Sequence, residues 1–196
     1  SSNIAFFNNG FTAGPLNLRG VTRLGTDGLT LTQSSGSSTI AFLLGTEING
    51  PVTLTYPNIN LDRATINGDF TYTKGAATAN SCSGGCTFNG NFTFNNPVAG
   101  QVILGNTYAD IFNGTTTISQ TGNAIFYLAH TAAGNQFNGN LILNSSGSGQ
   151  GIRFGQNNGS STLADGYAIT AGVTGLVTGS TILRNFTQTG NTAQTL

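Results

Sequence analysis

Five near-copies of one nine-residue phrase constrain this chain more than any other feature. INGPVTLTY starts at Ile48, INGDFTYTK at Ile66, FNGNFTFNN at Phe88, FNGTTTISQ at Phe112 and FNGNLILNS at Phe137. Their Asn-Gly pairs, at Asn49, Asn67, Asn89, Asn113 and Asn138, are 18, 22, 24 and 25 residues apart. Periods of this size belong to solenoids, where each repeat is one coil laid on the last. After each Gly the second and fourth residues are Val52 and Leu54, Phe70 and Tyr72, Phe92 and Phe94, Thr116 and Ile118, and Leu141 and Leu143. All but Thr116 are apolar, a period-two stripe that one face of a strand buries. The residues between them, Thr53, Thr71, Thr93, Thr117 and Ile142, form a mostly threonine row on the outer face.

A second apolar segment follows in most units: AFLLG at Ala41, INL at Ile59, VILG at Val102, IFYLA at Ile125 and IRFG at Ile152. Each unit thus supplies at least two short strands, and a chain rich in Thr, Asn and Gly gives no helical phase. An up-and-down barrel could also place a hairpin turn at every Asn-Gly. The segments GNTYADIF and HTAAGNQF argue against it, because Gly and small polar residues weaken the first hairpin strand. The expected fold is all-β, a right-handed parallel β-helix of about eight coils of 22–25 residues, roughly 40 Å long at about 4.8 Å per coil. In such a rod Phe88, Phe112 and Phe137 stack inside, with Ile48 and Ile66 continuing the column. The five asparagines form a corner ladder of amide hydrogen bonds, and the glycine after each takes a positive φ.

A longer echo concerns the ends. Phe11 to Leu31 aligns without gaps on Leu176 to Leu196, an offset of 165 residues, matching Gly14 to Gly179, Leu18 to Leu183, Arg19 to Arg184 and Thr22 to Thr187 among others. One seventh of that offset is about 23.6 residues, inside the spacing of the units. Neither end carries an amphipathic helix or a charged edge strand to cap the coil. Residues 1–196 therefore read as a single solenoid segment, one super-repeat of period 165 in a longer array, with neighbouring copies joined end to end as partners.

Six basic and six acidic residues leave a formal charge of zero. Phosphate backbones need a stripe of Lys and Arg, so nucleic acid is excluded as a partner, and an anionic membrane surface is equally unsuited. No apolar run reaches the roughly 20 residues of a membrane-spanning helix, and SSNIAFFNNG is not a signal peptide, so any export signal lies outside these residues. Cys82 and Cys86, in NSCSGGCTF, read first as a loop disulfide of an exported chain, then as free thiols, and last as a metal site, for which His130 is the only histidine available.

The acids Asp27, Glu47, Asp62, Asp69, Asp110 and Asp165 are scattered. A glycosidase needs two facing carboxyls within about 5 to 9.5 Å, and Asp62 with Asp69 is the nearest pair in sequence. Arg63 and Lys74 beside them favour a solvated corner with surface ion pairs. His130 lacks a nucleophile elbow, and GSGQGIRFG lacks the following helix of a phosphate cradle. No catalytic residue, metal ligand or cofactor site is expected. The threonine row could face ice, although it decays at Asn95 and Asn144, and β-propensity alone accounts for it. Tyr56, Tyr72, Tyr108 or Tyr127 could meet sugars if exposed.

Segments such as LRNFTQTGNTAQTL, GGCTFNGNFTF, VILGNTYADIFNG, YLAHTAAGNQFNGNL and GIRFGQNNGSSTLADG resemble the very long β-strand repeat surface proteins of Bacteroidetes, adhesin-like and gliding-motility-adhesin-like. The resemblance covers nearly the whole chain. It implies an extracellular, type IX secreted cell-surface protein without catalytic residues, in whose units Asn commonly takes the place of Cys86. The expected function is a non-enzymatic structural or adhesive repeat segment of a surface protein or filament. A carbohydrate- or ice-binding module is the alternative, with surface glycans as partners, and a carbohydrate-active β-helix enzyme comes third.

Overall fold

The computed structural model describes residues 15–20, 22–23, 26–146, 151–154, 160–163, 169–172, 180–182 and 186–188. Among them every regular element is a strand, and every strand pairing is parallel. The chain is an all-β solenoid with three walls. A long wall stacks eight strands, Leu29–Thr32, Val52–Tyr56, Phe70–Lys74, Phe92–Asn96, Thr116–Gln120, Leu141–Ser145, Ile169–Gly172 and Phe186–Gln188. A short wall stacks eight more, including Glu47–Ile48, Thr65–Ile66, Thr87–Phe88, Ile111–Phe112 and Asn135–Phe137. The third wall has a group of three, ending at Asn58–Leu61, and a group of four, beginning at Asn80–Ser81. It carries slightly fewer than the eight coils expected, and it contains the second apolar segments of the sequence.

Alternation decides the core. On the long wall Val52, Leu54, Phe70, Tyr72, Phe92, Phe94, Thr116, Ile118, Leu141 and Leu143 all point inward and are buried. Ile48, Ile66, Phe88, Phe112 and Phe137 occupy one register position of the short wall, as the repeats predict. The rings stack nearly parallel, with Phe88 and Phe112 centroids 5.3 Å apart and Phe112 and Phe137 4.9 Å apart. A second stack, Phe70 on Phe92 at 5.4 Å, rises beside it from the long wall. Each buried side chain contributes roughly 1.5 to 3 kcal/mol, so the repeated aromatics are the main source of cohesion between coils.

The glycines that follow the ladder asparagines do not serve the purpose expected of them. None of Gly50, Gly68, Gly90, Gly114 and Gly139 has a positive φ. They lie directly over one another instead. A Cβ on Gly90 would stand 2.5 Å from the Gly68 carbonyl carbon, and one on Gly114 2.5 Å from the Gly90 oxygen. Close backbone approach selects glycine here, because no side chain fits between coils.

The register also places the 165-residue echo. Leu16–Arg19 belongs to the third wall and Thr22–Arg23 to the short wall, whereas Ser180–Ile182 and Phe186–Gln188 belong to the short and long walls. Thr187 is joined through successive partners to Thr30, not to its sequence match Thr22. The matched segments are displaced by one wall.

Candidate functional site

Two corners flank the short wall. At the corner leading into the long wall, side-chain amides run from coil to coil. Asn89 Nδ2 donates to Asn67 Oδ1 at 2.6 Å, Asn113 Nδ2 to Asn89 Oδ1 at 2.7 Å, and Asn138 Nδ2 to Asn113 Oδ1 at 2.8 Å, with Asn67 bonded in the same way to Asn49. All five expected members are therefore present. A parallel set runs beside them: Asn91 N donates to Asp69 Oδ1 at 2.8 Å and Thr115 N to Asn91 Oδ1 at 3.0 Å. The amides of successive coils are joined to one another in this arrangement, which suits a structural role.

The corner between the third and short walls is built differently. Its chain segments lengthen from Leu44-Gly45-Thr46 through Asp62-Arg63-Ala64 and Ser83-Gly84-Gly85-Cys86 to Gly105–Asp110 and 129–135. Inside it, three dissimilar side chains at one rung position accept the backbone N–H of the preceding coil. Cys86 Sγ takes Ala64 N at 3.4 Å, Asp110 Oδ1 takes Cys86 N at 2.9 Å, and Asn135 Oδ1 takes Asp110 N at 2.9 Å. Asp110 is buried, and that burial raises its carboxyl to about 7, against the opposing hydrogen bonds from the Cys86, Gly105 and Gly85 backbone.

Outside, the same corner carries the side chains capable of recognition. Arg63, at φ 54°, chelates the neighbouring Asp62 through Nε at 2.7 Å and Nη2 at 3.2 Å. Its guanidinium lies 4.6 Å from the centroid of Tyr108, two coils on. The hydrogen bond that Arg63 donates to Asp62 is the main reason its pKa is raised. Between the two coils sit Gly84 and Gly85, at φ 86° and 78°. One coil further, His130 Nδ1 lies 2.8 Å from Thr131 Oγ1 and 3.3 Å from Asn106 Oδ1, with its ring against Tyr127 at 4.9 Å. Burial lowers the His130 pKa.

The remaining candidates are dispersed. Asp62 and Asp69 leave their coil at different corners, one held by Arg63 and the other at the asparagine ladder, so they do not face one another. Lys74 is not a surface ion-pair partner: it points inward and donates to Pro57 O at 2.9 Å and Asn58 Oδ1 at 2.8 Å. Its desolvation lowers the amine to about 8. Glu47 accepts from Asn67 at 3.1 Å, and Asp165 lies outside the described residues. Cys82 and Cys86 are buried thiols without a disulfide, with desolvation pushing Cys82 up to about 12 and Cys86 well above its ordinary value. Among the described residues no group of three potential ligands could hold a metal ion. Tyr56, Tyr72 and Tyr127 are buried, while Tyr108 is 41% exposed.

The long wall turns Thr30, Thr53, Thr71, Thr93 and Thr117 outward on successive rungs, followed by Ile142. In backbone register Thr170 and Thr187 take the next two positions. Two features escape the sequence reading. Asn80 replaces a missing rung of the third wall, its Oδ1 accepting Ile59 N at 2.7 Å. The contact between Arg63 and Tyr108 is the other, and its only sequence sign is the Gly-Gly pair in the intervening coil. Comparison with known proteins finds no matching family model, no matching curated protein and no matching solved structure.

Proposed function

We propose that this chain is a non-enzymatic structural and adhesive segment of an extracellular surface protein or filament, in the style of the long repeat proteins of Bacteroidetes. The observation that carries the reading is the unbroken stacking at the asparagine corner, where the amides and glycine backbones of each coil are occupied by the next. Residues placed so regularly build length and stiffness. Asp62 is held by Arg63, Asp110 by the Cys86 backbone and Asp69 by Asn91 at the other corner, commitments that favour a role without hydrolysis. Neighbouring copies are the natural partners, each continuing the rungs of the last.

Electron microscopy of the protein with its native flanking sequence is expected to show continuous rods that lengthen with the number of repeats; isolated short particles would sink the reading. Export brings an oxidising environment, in which Cys82 and Cys86 are proposed to close a disulfide. Denatured protein taken from the cell surface should then show no free thiol, and two reactive thiols would remove that element. The threonine column supports a second reading, an uncharged face that orders water and meets ice. A thermal-hysteresis assay without activity would dismiss it.

A further inference from the structure

We propose that Tyr108, Arg63 and Asp62 form a binding ridge for a neutral saccharide. This deepens the adhesive part of the proposed function and rests on it. Among the described residues only Leu44 and Tyr108 are large apolar side chains with substantial exposure, at 46% and 41%. Both lie at the corner between the third and short walls, where the chain also places Arg63.

The ridge is held in shape before any ligand arrives. Asp62 fixes Arg63 through two hydrogen bonds, at 2.7 and 3.2 Å, and the guanidinium settles 4.6 Å from the Tyr108 ring centre. Fixing donors and ring in advance lowers the ordering cost of recognition. The intervening glycine is cut to fit this pair. At Gly90 and Gly114 an added Cβ meets backbone of the preceding coil, whereas at Gly85 it meets Arg63 Cγ at 2.7 Å and Tyr108 Cβ at 2.8 Å. Gly85 therefore makes room for two side chains rather than for the stack. An exposed cation–aromatic pair adds little to stability, a small return for a left-handed residue and an exposed ring.

The chemistry selects the ligand class. The face of Tyr108 turned away from Arg63 suits the C–H face of a pyranose and the remaining guanidinium N–H groups offer donors, while buried Asp62, with both oxygens on Arg63, fixes the guanidinium rather than meeting the ligand. Asp62 and Arg63 cancel in charge, and the whole chain is formally neutral. Charge complementarity thus favours an uncharged sugar over a sulfated or phosphorylated polymer. A single ridge without a deep cavity binds weakly, with a Kd of about 1 mM, and repetition along an array would multiply it.

Affinity electrophoresis of the purified chain through gels containing soluble β-glucan, mannan, galactan or a sulfated polysaccharide tests this. Retardation by at least one neutral polymer is expected, weakened at least about tenfold by Tyr108→Ala and by Gly85→Ala, and kept within about twofold by Tyr108→Phe. Melting temperatures of the same variants separate loss of binding from loss of fold. No retardation by any neutral polymer, retardation by the sulfated one alone, or equal retardation of Tyr108→Ala would each overturn the ridge. Rods without binding defeat this proposal alone, and binding without rods defeats only the array.

Discussion

At the corner between the short and long walls five successive coils repeat Asn-Gly, after one that has Asp27-Gly28, while across the short wall the opposite corner changes composition and length from coil to coil. Both must satisfy backbone N–H groups where the strand ladder stops. The regular corner gives its backbone N–H groups to carbonyls of the preceding coil and to Asp69 and Asn91, and stacks one residue type in register through side-chain amides, so these coils are interchangeable. The irregular corner uses Cys86, Asp110 and Asn135 for the same rung, and the side chains it leaves outside differ accordingly. Uniformity there would support the rod equally well. The variation therefore marks where a surface distinct from coil to coil can be carried without disturbing the stack.

Glycine substitutions should break this comparison most strongly. Gly90→Ala puts a Cβ 2.5 Å from backbone, and separating two coils is expected to cost at least about 4 kcal/mol. Gly134, in the irregular corner, has a φ of 88° but nothing within 4 Å of an added Cβ. Gly134→Ala should cost only about 1 to 2 kcal/mol. Chemical denaturation of both variants measures the difference, and equal losses would contradict the assignment of close packing, rather than backbone conformation, to Gly90. Aromatic truncation is the next test. Phe112→Ala removes a ring stacked on both neighbours and should cost about 3 to 5 kcal/mol, whereas Tyr108→Ala at the exposed corner should cost less than about 1 kcal/mol.

The regular corner is legible in the amino-acid sequence because the same demand recurs in every coil and so leaves a period. Phe88, Phe112 and Phe137 are each ambiguous alone; their spacing makes them a column. The glycines stand out in the sequence for a different reason from the one that selects them. An Asn-Gly pair signals a turn in a hairpin and close approach in a stack, and only the stacking distance separates the two. Contacts made once leave no period. Arg63 meets Tyr108 across 45 positions, and Asp110 is buried because it takes the inward rung position that Ala64 and Cys86 hold in the preceding coils. Lys74 departs from the sequence expectation on similar grounds: it is the fifth residue of a strand whose first and third positions point inward, and alternation buries it despite its charge.

Asp110 gives the irregular corner a pH dependence that the asparagine ladder lacks. Its folded carboxyl titrates at about 7, above the ordinary 3.8, so the folded state binds more protons than the unfolded chain between those values. Stability is then greatest in acid and falls as pH rises from about 4 to about 7, by a few kcal/mol in total. Above that range the penalty is fully present. Asp110→Asn keeps an amide oxygen for Cys86 N and should flatten the curve while raising stability at pH 8. Denaturation midpoints at pH 5 and pH 8 decide it, and an unchanged slope in the variant would assign the dependence elsewhere.

Cys86 gives the finest test, because its rung position is taken by Asp110 and Asn135 in the following coils. As a thiol it is a poor acceptor, with Ala64 N at 3.4 Å from sulfur, where oxygen in the next two coils stands at 2.9 Å. Cys86→Asn restores an oxygen to the column at similar volume, so under reducing conditions the variant should match the parent within about 1 kcal/mol. Without reductant the proposed disulfide closes a five-residue loop and stabilises the parent by about 2 kcal/mol, an advantage the variant cannot have. A gap that opens only when reductant is withdrawn supports the disulfide. A gap of the same size in both conditions would mean that the thiol packs better than an amide, and that the irregular corner has chosen cysteine for its shape.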